Sequence, residues 1–171
     1  MPALYRQRIK LGLAIIMLAA ILAMFLVPIP TLLVGEQNED EPVLAIPMVW
    51  DKTFYLEFTH SVLKTPVQEY FILAPDNTLL LTSTTYKSLG VGLPFLPEEG
   101  ELENKDGLFV LKGLNRKFNT INQAFNPITK QALVYRGKQY YYQDYFKTGA
   151  LVRVQMTQYT PVKLIRQNIL Q

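Results

Sequence analysis

Residues 11–35 read LGLAIIMLAAILAMFLVPIPTLLVG, 25 positions without a charge, directly behind Arg6, Arg8 and Lys10. At about 1.5 Å per helical residue, such a run crosses a hydrocarbon core of about 30 Å. Its proline-free part, Leu11 to Val27, is longer than the usual apolar region of a cleaved signal. The run predicts one transmembrane helix that ends around Pro28 and Pro30, near the outer interface, where water satisfies the freed carbonyls. The three basic residues hold its start in the cytoplasm. Glu36, Glu39, Asp40 and Glu41 follow, so the remainder is read as extracytoplasmic, in a periplasm or at a cell surface. A cleaved signal is the rival reading, but Ala19, Ala20 and Ala23 are not arranged as an A-x-A site. The expected organisation is a basic tip and anchor over 1–34, an acidic tether over 35–42 and one domain over 43–171.

Charge and cysteine content remove several classes of function. The net charge of +3 is accounted for by Arg6, Arg8 and Lys10, which leaves the exported part balanced, with 14 acidic residues against as many basic ones. A neutral domain lacks the basic face that nucleic-acid binding needs, so no nucleic-acid partner is expected. The chain has no cysteine. Disulfides, thiol nucleophiles, Cys-based zinc sites and a lipoprotein anchor are thereby excluded.

The domain reads as mostly β, because its apolar residues recur with period two and its breaks carry turn residues. Phe54, Leu56 and Phe58 alternate with Tyr55, Glu57 and Thr59, and the run Gln68 to Leu73 ends at Pro75, Asp76 and Asn77. Further strand-like runs are Leu79 to Tyr86, Leu108 to Leu111, Leu133 to Tyr135, Tyr140 to Tyr142 and Leu151 to Met156. Asp106-Gly107 and Gly137-Lys138 are placed as two-residue hairpin turns. Phe118, Ile121 and Phe125, spaced three and four apart, predict a short helix. The expected fold is a small antiparallel sandwich or barrel of about seven strands behind one N-terminal transmembrane helix.

The segment with most chemical content is Phe58 to Phe71, which holds the only histidine. A hairpin with a Leu63–Pro66 loop would set Val62 opposite Val67, His60 opposite Glu69 and Phe58 opposite Phe71, so that the apolar faces coincide. His60 and Glu69 would then be close enough for the carboxylate to fix the imidazole tautomer. They are either a structural pair that pins the register or part of a binding site. Ser61 is not expected to serve as a nucleophile for His60, because strand neighbours point to opposite faces. With one His and no Cys, no metal or other cofactor is expected, and Leu102 and Gly113 fall where a calcium loop over Asn104 to Gly107 would need ligands. Gly90 and Gly92 read as a tight loop, since Pro94 and Pro97 forbid a phosphate-holding helix after them. Tyr140, Tyr141 and Tyr142 alternate in direction, so one aromatic set is expected to be exposed and to contact a partner, or else to cover a thin core.

The Thr59-His60-Ser61-Val62 and Thr65-Pro66-Val67-Gln68-Glu69 elements, followed by Ser88 to Pro94, resemble a bacterial family, domain-of-unknown-function family eighteen-fifty. The resemblance covers about Phe54 to Pro94. It implies small exported or membrane-anchored proteins often encoded beside TRAP-type transporters of the TAXI class. Thr59, His60, Ser61, Thr65, Glu69, Gly90 and Gly92, all within that stretch, are the candidate binding residues, and Tyr140, Tyr141 and Tyr142, read from their alternation, the candidate partner contacts. The expected function is a non-catalytic accessory or binding subunit that meets a polytopic permease or a solute-binding protein at the membrane. The alternatives are an envelope enzyme using His60 and Glu69, or a glycan-binding or structural module using the tyrosines.

Overall fold

A computed structural model describes residues 3–87 and 100–169. Helix α1 (Ala3–Leu26) contains the apolar segment Tyr5–Leu26, none of whose hydropathy window is buried in the protein. It is a candidate membrane anchor or signal sequence. The helix stops at Leu26 because Pro28 and Pro30 lack donors and the residue before a proline is driven from the helical region.

Only Val27 and Pro28 separate the helix from strand β1 (Ile29–Glu36). The apolar run therefore divides into a bare helix and a strand enclosed by protein. Leu32 and Val34 are fully buried, and Leu33 is 6% exposed. This corrects the expected boundary at residue 34. In place of the expected tether over 35–42, β1 runs on to Glu36 and residues 37–43 connect it to β2 (Leu44–Pro47), tied down by Gln37 N–H to the Leu151 carbonyl (2.7 Å) and Arg153 to the Glu39 carbonyl (3.0 Å).

The remaining strands are β3 (Thr53–Thr59), β4 (Pro66–Leu73), β5 (Leu79–Tyr86), β6 (Glu101–Lys105), β7 (Leu108–Phe118), β8 (Thr120–Ala124), β9 (Ala132–Tyr135), β10 (Lys138–Tyr141) and β11 (Leu151–Tyr159), with helix α2 (Pro161–Ile169) last. They form two antiparallel sheets. The smaller has the order β2-β1-β11-β8 and the larger β10-β9-β3-β4-β5-β7-β6. Leu32, Val34 and Ile46 from the first and Phe54, Leu56, Phe71, Leu79 and Leu111 from the second share one core. The fold class is mostly β, as expected, with two antiparallel sheets that hold eleven strands among the described residues where about seven were expected.

Helix α2 covers the outer face of the small sheet, where Leu164 packs with Leu33, Ala45 and Tyr159. Thr160 caps it, its Oγ1 accepting from Lys163 N–H at 3.4 Å, and Pro161 supplies the preset first turn. β1 is thus covered on both faces. A strand in that position loses its polar alternation, which is why its sequence continues that of the helix without a visible break.

Asp106-Gly107 forms the two-residue turn between β6 and β7, both residues at positive φ (54° and 83°). The β9–β10 turn is Arg136-Gly137, also at positive φ (49° and 77°), one residue earlier than expected. Phe118, Ile121 and Phe125 are not helical. β7 ends at Phe118 in the large sheet and β8 starts at Thr120 in the small one, so the chain turns a corner at Asn119. Inward residues on either side of such a corner fall out of period two and imitate helical spacing.

Candidate functional site

The β3–β4 hairpin stands at the end of the large sheet away from α1. Its register pairs Phe58 with Val67, Leu56 with Glu69 and Phe54 with Phe71. His60 N–H donates to the Thr65 carbonyl (2.8 Å) and closes the four-residue apex Ser61–Lys64, with Lys64 at φ 54° and its N–H on the His60 carbonyl (2.9 Å). The apex has the expected length but begins two residues earlier. Every cross-strand partner therefore moves by four, and the expected pairing of His60 with Glu69 is replaced by Leu56 with Glu69. The faces survive because an even shift preserves alternation.

His60 serves the apex. Its Nδ1 accepts from Val62 N–H and Leu63 N–H, both at 3.2 Å, which leaves the ring proton on Nε2 in the neutral form. Thr59 ends β3 opposite Pro66, Ser61 is exposed, and Thr65 Oγ1 is buried without a partner among the described residues. Gly90 and Gly92 lie outside the described residues.

Glu69 occupies the inner face of β4, between Leu56 on β3 and Thr84 on β5. Burial raises its carboxyl above the ordinary value, and Arg116 pulls weakly the other way. Two further polar groups lie in this interior: the Thr84 hydroxyl and the Tyr142 phenol, each buried without a hydrogen-bond partner among the described residues. Burial, and then the charge of Glu69, raise the Tyr142 phenol. The three groups make a polar seam within the sandwich. Tyr142 is fully buried, in a short turn that follows β10, and its ring meets Phe125 and Phe146 edge to face. It is a core residue and not an exposed partner contact. Tyr140 packs against the same core, and Tyr141 donates its hydroxyl to Gln139 Oε1 at 2.7 Å.

The open site lies on the opposite face of the same strands. A groove of about 390 Å³ is lined by Thr53, Tyr55, Tyr70, Ser83, Asp51 and Arg136, among others. The Tyr55 and Tyr70 rings face each other across β3 and β4, with centroids 5.1 Å apart. Tyr70 donates to Gln68 Oε1 (2.7 Å), and Gln68 Nε2 donates to Glu57 (2.6 Å), so a polar ladder fixes one edge of the aromatic pair. Burial, reinforced by Glu57 and then Tyr70, raises the Tyr55 phenol, which is therefore a neutral donor at physiological pH. Asp51 sits at the end of the groove. Its carboxylate accepts from the Thr53 hydroxyl (2.7 Å) and amide (2.9 Å), and these bonds, with Arg136 adding a smaller effect, hold it below the usual carboxylate range. Such a surface offers stacking, neutral donors and one guanidinium. It suits a small planar or hydroxylated solute. Sequence reasoning overlooked it, although the alternation that puts Phe54 and Leu56 inward also puts Thr53, Tyr55 and Tyr70 together on the other face.

Among the described residues, no three His, Asp or Glu side chains converge as a metal site requires. No curated protein and no solved structure matches the chain. A family model does match, over residues 54–141, half of the chain; that range holds the β3–β4 hairpin, Glu69, Thr84, Tyr55, Tyr70 and Arg136, and it leaves out Asp51, Thr53 and Tyr142. The chain belongs to the family described as Domain of unknown function (DUF1850).

Proposed function

We propose that this chain is a membrane-anchored, extracytoplasmic accessory subunit, without catalysis of its own, that acts beside a TRAP-type solute transporter of the TAXI class. The observation that carries the reading is the junction at Val27 and Pro28, which ties α1 to a core strand with no slack. A domain held in this way cannot range far from the bilayer, so the partners within its reach are those in or on the same membrane. Arg6, Arg8 and Lys10, at the N-terminal end of α1, favour a cytoplasmic start and a domain outside. The transporter class comes from the family resemblance. The groove beside Tyr55, Tyr70 and Arg136 favours a second reading, a module that binds a small solute or glycan directly.

The test is mild detergent extraction of the tagged full-length chain at native expression, followed by purification and mass spectrometry of what accompanies it. The control replaces only 11–26 with an unrelated apolar helix, since β1 must stay intact. Co-purification of a polytopic permease or a solute-binding subunit supports the accessory reading. Recovery of the chain alone, together with solute binding that Tyr70→Ala abolishes, replaces it with the second.

A further inference from the structure

The end of the sandwich nearest α1 carries a feature that neither the core nor the groove uses. Trp50 is 82% exposed, the most exposed of the large hydrophobic side chains among the described residues, and its neighbour Val49 is 53% exposed. Their loop is fixed beside the helix exit, because Met48 N–H donates to the Pro30 carbonyl at 2.8 Å. Pro30 is four residues beyond Leu26, so at most about 14 Å of extended chain separates the end of α1 from the base of this loop. The headgroup layer beyond the hydrocarbon is itself about 6 Å deep on each side.

We infer that Val49 and Trp50 form an interfacial foot that seats the domain on the lipid headgroups of the bilayer that α1 crosses. Tryptophan suits this layer, since its ring is apolar and its indole N–H still finds water or a phosphate ester. The surrounding charge fits the same occupant. Lys52 lies two residues past Trp50, beyond Asp51, and Lys163, over the Tyr159 ring at 3.9 Å, belongs to the same end because Tyr159 pairs with Ile29. Of the acidic groups nearby, Asp51 accepts from Thr53 and Asp76 pairs with Lys117 at 2.7 Å, while Asp40 and Glu41 line a groove with Lys163. Lys52 is thus the cation beside the foot that can meet a lipid phosphate.

The inference rests on α1 being retained as a span, and one experiment separates the two. Trp50 is the single tryptophan, so the emission of the full-length chain reports on this residue alone. The protein is reconstituted into phosphatidylcholine–phosphatidylglycerol vesicles, and its intact mass is checked there. The expected result is emission at shorter wavelength than in the urea-unfolded chain, quenching by lipids brominated near the acyl-chain head, and loss of quenching by aqueous iodide. A variant combining Trp50→Phe with Val62→Trp moves the probe to the far hairpin, where Val62 is 76% exposed, and its emission must remain open to iodide. An intact, inserted chain whose Trp50 is quenched by iodide as freely as that control overturns the foot and leaves the anchor standing. Lipid quenching of both probes overturns it too, because the domain would then lie flat. A chain trimmed of α1 and released from the vesicles overturns the foot and the anchored reading together.

Discussion

Leu18 in α1 and Leu32 in β1 belong to one unbroken apolar run, yet they face different solvents. Leu18 is 58% exposed on a helix that touches little protein, whereas Leu32 is fully buried between the two sheets. The difference teaches that apolarity alone does not say what will cover a residue. A bilayer asks only for a continuous apolar cylinder, and a strand between a sheet and a helix asks for an equally continuous run. The two demands meet at Pro28, where the secondary structure changes and the composition does not.

Substitutions that treat the two halves alike give the largest contrast. Leu32→Ala is expected to lower the stability of the β domain by about 2–5 kcal/mol, as deletion of enclosed side chains does. Leu18→Ala should leave the urea midpoint of the same domain unchanged, with both measured on full-length protein in detergent. Equal losses would mean that α1 packs on the domain after all.

The interior can be probed next for dryness. Tyr142 carries a buried hydroxyl with no partner among the described residues, so Tyr142→Phe is expected to raise stability by about 1 kcal/mol, the desolvation cost being removed. A loss in urea unfolding would mean that the hydroxyl binds something the interior holds.

Glu69 tests the same interior through pH. Its carboxyl is raised by burial above 4.5, so the folded protein holds this proton more tightly than the unfolded chain. Stability from this group is complete below 4.5 and falls as pH rises through the folded value, because folding then buries a charge. Glu69→Gln should flatten that part of the stability–pH profile and leave the chain no less stable than the wild type at neutral pH. A profile unchanged by the substitution would place Glu69 in water.

Water itself supplies the smallest effect. Asp76 is held at about 2, first by Lys117 and then by Thr78, on the exposed β4–β5 turn. Its small contribution is present above the ordinary value of 3.8 and is lost as pH falls through about 2. Lys117→Ala should return the carboxyl toward its ordinary range in an NMR titration while hardly moving the unfolding midpoint.

The faces of the large sheet were legible in the sequence, and the positions along them were not. Alternation put Phe54, Leu56 and Phe58 on one side with Val67, Glu69 and Phe71, and the structure keeps that side. It could not fix the register, since moving the apex from Leu63–Pro66 to Ser61–Lys64 satisfies the same alternation. The deciding contacts are local: Lys64 in the left-handed region and two amides on His60 Nδ1. Elsewhere the missing information was tertiary. β1 looks like helix because α2 hides its outer face, and α2 was not among the elements read from the sequence. The groove was half visible in the tyrosines of β3 and β4, while Arg136 and Asp51 reach it through chain reversals that alternation does not encode.

The division of the apolar run is tested most directly by two soluble versions of the chain, one starting at Val27 and one at Val43. Circular dichroism and urea unfolding of both are the measurement. The version from Val27 keeps β1 and is expected to fold cooperatively. The version from Val43 lacks the strand that joins β2 to β11, and it should be unfolded or aggregated. If residues 43–171 unfold cooperatively at the same urea midpoint as residues 27–171, then β1 is no part of the core and the apolar run is anchor throughout.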